Sequence, residues 1–484
     1  MRRQHRPILL TAALIAGVMS ALALSGALAA PRAEFLRLAT NLSNSPNRYS
    51  YYADIAVSPD GDRVVIVWPE SYQDYGSELK QSVYLRWASE STGSGWSAPV
   101  IVHAGSISEC ARWAAVAVTG TNPYTAVVAY ITQSPCDSPT SQAVRYRLCI
   151  LGGACGAVQT VDMVPSLPTN DPGYGSVDVA LDGEGKPHVV YAYYRYDSFQ
   201  KKDVGTVYYR SPSGSNPEVV SQDNQDARTP AIAWNGGAVH VVWATEPLTG
   251  SYDYFIFYRR RTTSWSTLPY GLVKQYLGYA PHNPAIAVFS STVLVAWDMN
   301  NEWTDSDCGD KQTRCEKYTL AYIRSTDNGV NWPRHVSGVP LWYELKGDPL
   351  GTDRPYTSTG EVRERTRFLR PSVGFRADGK PVVVWHVNDG TTENPDYNIY
   401  YTEALTVPEN AGEAIEWAEI RRFGQNPSLH SASPVVAPYL PPSALHVVYL
   451  QQGLGVDDWE TYYDGNEYDR YSHVYLPIVM RSFR

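Results

Sequence analysis

The sequence predicts an all-β chain that folds as a single β-propeller of seven four-stranded blades, with six blades as the alternative. Tyr, Trp, Gly and Pro are abundant, at 36, 14, 36 and 34 copies. Aromatic residues suit half-buried strands, and Gly and Pro suit the turns between them. Pairs of short apolar strands also recur along the chain, and most are followed by a third, aromatic strand. Repeats of this kind are typical of propeller blades.

The seven repeats share one pattern: an apolar strand, a Gly, Asp or Pro turn, and a second apolar strand that ends in Trp or Tyr. They begin at residues 53, 114, 176, 230, 284, 371 and 434. The last repeat has no clear fourth strand, whereas the stretch 35-FLRLAT precedes the first blade without a blade of its own. We therefore expect 35–40 to complete the last blade, because this pairing closes the ring and removes an open sheet edge.

The first thirty residues have the pattern of a secretory signal peptide. Arginines at positions 2, 3 and 6 precede an apolar run at 8–24, and 27-ALA resembles a cleavage site. An uncleaved anchor is the alternative, since this run is just long enough to cross a bilayer. The tail 473-HVYLPIVMRSFR resembles C-terminal tails of exported proteins of some filamentous bacteria, and a last strand is the alternative. We predict a signal peptide at 1–30, a propeller at 31–472, a tail at 473–484, and secretion or display at the surface of a bacterium.

Six cysteines lie in the exported part, and their even number favours disulfides. Pairing between neighbours gives Cys110–Cys136, Cys149–Cys155 and Cys308–Cys315; a zinc site is the alternative, although no CxxC spacing is present.

A net charge of −9 without a basic tract argues against a nucleic-acid partner. The acidic residues at 305, 307 and 310 fit no standard calcium loop, and no phosphate-binding loop is present. We expect a monomer without a cofactor or a metal.

The stretch 325-STDNGVNW follows the third strand of the fifth repeat and has Ser325, Asp327, Gly329 and Trp332 at fixed spacing. It resembles the Asp-box, or BNR repeat, of sialidases and related propellers at all four positions. Asp and Gly favour a tight turn, and the Trp is expected to pack between blades. The sequence therefore predicts a structural turn remote from any reaction site.

Candidate site residues lie on loops that enter the first strand of a repeat or leave the second, because these loops share one end of a propeller. The resemblance to sialidases, which hold a sugar carboxylate with three arginines, selects three such residues at equivalent positions in their repeats: Arg112, Arg228 and Arg370. The stretch 228-RTP is similar to the Arg-x-Pro motif of that family, whereas 370-RPS lacks the spacer. The alternative is that these arginines pair with acidic residues and brace the rim.

The same loops supply candidate acids, bases and aromatic contacts. Asp298 and Glu246 are candidate acid or base groups, and His282 and His386 are candidate substrate contacts. The remaining residues that this rule selects are Tyr51, Tyr52, Tyr174, His430, Glu70, Arg195, Asp197 and Asp389. We expect a secreted propeller that binds or cleaves a glycan with an acidic sugar. The alternative is a non-catalytic binding or structural platform, since a fold does not decide function.

Overall fold

The computed structural model is all-β. It describes residues 40–44, 48–50, 52–73, 79–88, 95–120, 122–136, 138–168, 171–214, 216–222, 225–246, 248, 254–275, 279–303, 315–345, 368–388, 397–422, 431–437, 439–440, 444–452 and 459–467. All of them belong to one compact unit, Leu38–Arg484. Within these residues, no helix is long and apolar enough to cross a membrane. The predicted signal peptide, the tail at 473–484, Cys308, Tyr51, Asp389 and His430 lie outside the described residues.

The first three blades follow one another along the chain, each as an antiparallel sheet ordered from the innermost to the outermost strand. Blade 1 has a divided innermost strand, β2 (Arg48–Ser50) and β3 (Asp54–Val57), then β4 (Val64–Gln73), β5 (Leu79–Ala88) and β6 (Val100–His103). Blade 2 has β7 (Cys110–Val118), β8 (Thr125–Ser134), β9 (Ser141–Ile150) and β10 (Gln159–Val164). Blade 3 has β11 (Gly173–Leu181), β12 (Pro187–Asp197), β13 (Lys202–Arg210) and β14 (Glu218–Val219).

Blades 4 to 6 repeat this order. Blade 4 has β15 (Asp226–Asn235), β16 (Ala238–Glu246), β17 (Tyr254–Arg261) and β18 (Tyr270–Gln275). Blade 5 has β19 (Tyr279–Phe289), β20 (Thr292–Trp303), β21 (Cys315–Ser325) and β22 (Tyr343–Glu344). Blade 6 has β23 (Phe368–Arg376), β24 (Pro381–Asn388), β25 (Tyr397–Thr406) and two short outer strands, β26 (Glu416–Trp417) and β27 (Arg421–Arg422).

Blade 7 joins the two ends of the propeller. Its strands are β28 (Ser431–Val436), β30 (Ala444–Gln452), β31 (Trp459–Glu467) and, as the outer strand, β1 (Thr40–Asn41) from the start of the chain. The short β29 (Tyr439–Leu440) pairs in parallel with β23 of blade 6. Thr40 and Asn41 pair with Tyr463 and Tyr462, so the predicted closure by the N-terminal segment is confirmed where it is described. Residues 35–39 lie outside the described part.

The innermost strands form a closed ring. β3 packs against β7, and contacts continue through β11, β15, β19, β23 and β28 back to β3. The second strand of each blade contributes one large aromatic side chain that is fully buried: Trp68, Tyr130, Tyr191, Trp243, Trp297, Trp385 and Tyr449. Burial of an aromatic ring of this size between neighbouring sheets is a major stabilising contribution. The structure therefore has the seven blades that the repeats predict.

Two of the three predicted disulfides are present: Cys110–Cys136 and Cys149–Cys155. The first links the start of β7 to the loop after β8, and the second closes the hairpin after β9. Disulfides form and persist in oxidising environments such as the extracellular space, so the two bonds are consistent with an extracellular protein.

Candidate functional site

Each innermost strand is interrupted by a bulge at the end where the chain enters it. The register breaks between Arg112 and Ala114 in β7, between Arg228 and Ala231 in β15, and between Leu369 and Ser372 in β23; β11, β19 and β28 break similarly, and β2 and β3 leave the same gap in blade 1. Five of the bulge residues have positive φ: Tyr52, Trp113, Thr229, Asn283 and Arg370. A bulge re-aims side chains, so it turns these residues out of the blade sheets.

Three bulge residues meet although their blades are not all neighbours. The rings of Tyr52 and Trp113 stack at a centroid distance of 3.9 Å. The Cζ atom of Arg370 lies 4.4 Å from the centre of the Tyr52 ring, a cation–π geometry. Arg370 belongs to blade 6 and Tyr52 to blade 1, with blade 7 between them in the ring. The contact between Arg370 and Tyr52 therefore spans the width of blade 7. It places a cation at one end of the stacked Tyr52 and Trp113 rings.

The position directly after the buried aromatic residue that recurs in each second strand distinguishes blades 5 and 6. Blade 5 has Asp298 there and blade 6 has His386, both almost fully buried. The other blades have apolar residues at this position: Pro69, Ile131, Ala192, Ala244 and Leu450. A polar group buried where the fold tolerates apolar ones carries a desolvation cost, so its presence points to a site.

Asp298 has the features of an acid that keeps its proton near neutral pH. Burial raises the pKa of its carboxyl to about 7, against the opposing effects of its own backbone amide, Asn283 and Arg370. Asn283 donates to Oδ2 at 3.4 Å, whereas Oδ1 has no hydrogen-bond partner in the described part of the chain. No described carboxylate forms an ion pair with Arg370. The pair thus combines a protonatable carboxyl with a cation open to an anion.

The two histidines of the site are neutral at ordinary pH. Burial, and next the positive charge of Arg370, lowers the pKa of His386 to about 3. Burial and the charge of Arg228 lower the pKa of His282, which is the cross-strand partner of Asp298. The His282 ring also contacts Tyr254 edge to face at 6.1 Å. Both imidazoles can therefore donate or accept hydrogen bonds to a ligand without a charge.

Arg228 has a different environment from that of Arg370. It contacts Asp226 at 3.1 Å and Glu246 at 3.3 Å, and Lys202 contacts the same two carboxylates at 2.8 and 4.0 Å. Two cations and two anions therefore neutralise one another at this part of the rim. Glu246 is a partner of Arg228 here, and it is 34% exposed, whereas Asp298 is buried.

Arg112 donates from Nε to Gln81 at 3.1 Å and is exposed. The register shows that Arg112 and Arg228 directly precede the bulge, whereas Arg370 is itself the bulge residue. The repeats predict equivalent positions for the three arginines, but Arg370 is shifted by one residue relative to the other two. The missing spacer in 370-RPS is the sequence sign of this shift. Interactions of Arg370 reach blade 5 through Asp298 and blade 1 through Tyr52.

Other predicted rim residues have structural partners. Glu70 accepts from the Trp68 indole at 3.0 Å, and Asp197 accepts from the backbone of Phe199 and Gln200. Tyr174 is buried edge to face against Tyr191 and Tyr193. These residues brace blades 1 and 3.

The sequence reasoning missed two half-buried carboxylates on the innermost strands. Asp54 accepts from the backbone N–H of Val116 in the next blade at 2.7 Å, and Asp178 accepts from that of Ile232 at 2.9 Å. Burial raises the pKa of Asp54 to about 7, to which Asp178 contributes, and raises that of Asp178 to about 6. They tie adjacent blades together. A single acidic residue among apolar ones in the first strand of a repeat is the sequence signal for them.

The stretch at 325–332 forms a turn between β21 and the outer strand β22. Asp327 Oδ1 accepts from the backbone N–H groups of Val330 and Asn331 at 3.1 and 2.9 Å, and from the Ser325 hydroxyl at 2.7 Å. Burial opposes ionisation, but these bonds hold the pKa of Asp327 below its ordinary value. The hydrogen bonds of the Asp327 side chain with described residues all lie within the turn.

Gly329 and Trp332 connect this turn to blade 4. The Trp332 ring is 6% exposed and meets the Tyr258 ring edge to face at 4.8 Å. The same Tyr258 hydroxyl is 2.7 Å from Nδ1 of His240. Similar His–Tyr pairs, each with a Trp from the next blade, recur as His188–Tyr209–Trp265 and His446–Tyr463–Trp96. The recurring sequence His-Val-Val before Tyr or Trp is the sequence signal for these contacts.

Comparison with known proteins gives similarity in fold. No family model matches the chain, and no curated protein matches it. The NanB sialidase from Streptococcus pneumoniae is 12% identical with a TM-score of 0.42, over 89% of this chain and 70% of that one. The α-L-arabinofuranosidase Arb93A from Fusarium graminearum is 10% identical with a TM-score of 0.44, over 89% and 96%. The β-propeller domain of the trilobed protease from Pyrococcus furiosus is 10% identical with a TM-score of 0.42, over 90% and 100%. The chain resembles sialidases and other propellers in its fold.

Proposed function

We propose that the end of the propeller around Arg370 and Asp298 binds a glycan through an acidic sugar, and that Asp298 donates the proton for its cleavage. The observation that carries this proposal is the pair itself: a buried carboxyl with an unpartnered oxygen beside a guanidinium without a carboxylate partner among the described residues. A strongly shifted carboxyl near a specific charge is a site candidate on physical grounds.

The proposed chemistry assigns one task to each group. The Arg370 guanidinium binds the carboxylate of the sugar, because its planar fork matches that anion. The Tyr52 and Trp113 rings provide an apolar surface for a sugar face. Protonated Asp298 passes its proton to the glycosidic oxygen as the bond to the sugar carbon breaks. A water molecule then gives its hydroxyl to that carbon and its remaining proton to the Asp298 carboxylate, which restores the acid.

The remaining candidates support this site from the rim. His282 and His386 supply neutral hydrogen-bonding groups beside the carboxyl. Arg228 and Glu246, already paired with each other, are proposed to contact sugar hydroxyls rather than to exchange protons. Arg112, which donates to Gln81, is proposed to contact a part of the glycan farther from Asp298.

The neutralised rim of blade 4 favours a second candidate function. Because Arg228 is already balanced by Asp226 and Glu246, part of the predicted arginine set serves as bracing. A platform that binds a glycan without cleaving it requires Arg370 and the aromatic stack but not the proton of Asp298. We also propose that residues 1–30 direct export of either form, in agreement with the two disulfides.

A fluorogenic panel of acidic and neutral glycosides tests the proposed function. We expect release of an acidic sugar, such as sialic acid or a uronic acid, and little release of neutral ones. Asp298→Asn should strongly lower release and retain binding, and Arg370→Gln should weaken binding at the site around Arg370 and Asp298 and lower release with it. Binding of acidic sugars without release would support the platform, whereas no binding of any acidic sugar would refute both forms.

A further inference from the structure

A cavity lies on blade 4 beside the turn of blade 5, and neither Arg370 nor Asp298 belongs to its lining. It has a volume of about 380 Å³, within the range of small-molecule sites. Its walls include the rings of Tyr258, Trp265, Tyr270 and Trp332, together with Arg260.

Arg260 stands out among three consecutive arginines of β17. Arg259 donates to the carbonyls of Ser266 and Val220, and Arg261 pairs with Glu218 at 3.0 Å. Arg260 points to the opposite face of the strand, because side chains alternate along it. Among the described residues, none forms a hydrogen bond or an ion pair with the Arg260 side chain, and its Nε is buried.

The Arg260 charge acts inside this cavity. Arg260 is the cross-strand partner of His240, and its charge adds to the effect of burial that lowers the pKa of His240 to about 4. The cavity lining contains no acidic residue among the described ones. A half-buried cation without an anion is costly, and an anionic ligand would offset that cost.

The rest of the lining defines the kind of anion. Trp332 is 6% exposed, and its indole N–H has no hydrogen-bond partner among the described residues. Hydroxyls of Thr262, Ser264 and Ser266 also line the cavity. Aromatic faces, hydroxyls and one guanidinium together suit a sugar ring that carries a carboxylate or a sulfate.

We propose that this cavity is a separate binding site for a negatively charged sugar residue, held by Arg260 and the aromatic walls. The site does not depend on Arg370 or Asp298. It would hold the protein on an acidic glycan independently of any cleavage at the axis.

The indole N–H signal of Trp332 provides a local readout in ¹⁵N NMR of the whole protein, with Trp332→Phe to assign it. The probes are methyl glucuronide, methyl glucoside and sodium sulfate. We expect methyl glucuronide to shift this signal in the wild type and in Arg370→Gln. Arg260→Gln should weaken the binding at least about tenfold, because a charge-assisted hydrogen bond is lost.

A second variant avoids any effect on folding. Val330 lines the cavity and is 59% exposed, so Val330→Glu places a negative charge beside Arg260 and should abolish the shift; Val336→Glu, at a fully exposed residue outside the lining, is the matched control. The proposal is overturned if the shift survives Arg260→Gln and Val330→Glu, if methyl glucoside or sulfate alone reproduces it, or if methyl glucuronide produces none. A loss of sugar release in Arg370→Gln with the shift intact would separate this site from the axial one.

Discussion

The Arg370 guanidinium lies 4.4 Å from the centre of the Tyr52 ring, although the two residues belong to blades that another blade separates. The contact requires the bulges in both innermost strands, which give Arg370 and Tyr52 positive φ angles of 53° and 31°. The same bulge places Arg370 within electrostatic reach of Asp298. One irregularity of the strand therefore assembles the cation, the aromatic platform and the acid.

Replacement of Arg370 by Gln should weaken the binding of an acidic sugar about 10- to 100-fold, because hydrogen bonds between charged groups are worth about 1.5–3 kcal/mol. Arg376→Gln is the control, since Arg376 lies at the other end of β23 and pairs with Glu403. Calorimetric titration of both variants measures the difference. Equal affinities would remove Arg370 from the site.

Activity should depend on the protonated form of Asp298. Its pKa of about 7 predicts that sugar release is retained below pH 7 and lost as the pH rises above it. In Asp298→Asn the rate should fall about 10²- to 10⁴-fold, the usual contribution of a general acid. A pH–rate profile of the wild type without a descending limb near pH 7 would contradict the assignment.

Asp298 and His240 should make the stability of the protein depend on pH in opposite directions. A carboxyl whose pKa rises from 3.8 to about 7 on folding stabilises the protein fully below pH 3.8, and this contribution is lost as the pH rises through 7. His240, lowered from 6.5 to about 4, contributes above pH 6.5, and its contribution is lost as the pH falls through 4. At pH 8, Asp298→Asn should therefore have a higher free energy of unfolding than the wild type, measured with denaturant. Between pH 6.5 and 4, the free energy of unfolding of His240→Gln should fall less than that of the wild type. Profiles parallel to that of the wild type would refute both.

Gly329→Ala should destabilise the protein by about 2 kcal/mol or more. The new Cβ would lie 1.8 Å from the Tyr258 hydroxyl, and φ is 72°. Tyr258→Phe removes the nearest atom, so the double variant should recover part of the loss while the backbone strain stays. Additive losses in thermal or denaturant unfolding would show that Gly329 does not serve the approach of Tyr258.

The closure of the ring depends on a short segment. Leu42 is fully buried, and its backbone N–H donates to Thr461 at 2.8 Å. Leu42→Ala should cost about 2–5 kcal/mol, the usual range for a buried leucine. Leu405→Ala, at a half-exposed position, is the control and should cost much less. Similar unfolding free energies for the two variants would contradict the closure.

The architecture could be predicted from the sequence because the fold repeats. Seven copies of an apolar strand pair gave the blades, and the unpaired pattern at 35–40 indicated the closing segment. The turn at Asp327 was also predictable, since its bonds are local along the chain. Alignment of the repeats did not reveal the one-residue shift of Arg370, because a bulge changes register without changing the apolar pattern.

The site was predictable only in part for a related reason. Asp298 and Arg370 were selected by their place in the repeats, but the contrast between them and the paired Glu246 and Arg228 depends on neighbours from other blades. Such contacts have no local pattern in the sequence. The sequence did not single out Arg260 for the same reason. Three consecutive arginines can be distinguished only by the partners of their side chains, which the structure shows.

A crystal structure of the protein with the acidic sugar that binds most tightly in the glycoside panel tests the central claim most directly. We predict its carboxylate within hydrogen-bond distance of the Arg370 guanidinium, a sugar face on the Tyr52 ring, and the anomeric oxygen beside Oδ1 of Asp298. An acidic sugar whose carboxylate lies away from Arg370, or an axial site that remains empty while the ligand binds elsewhere, would contradict the account.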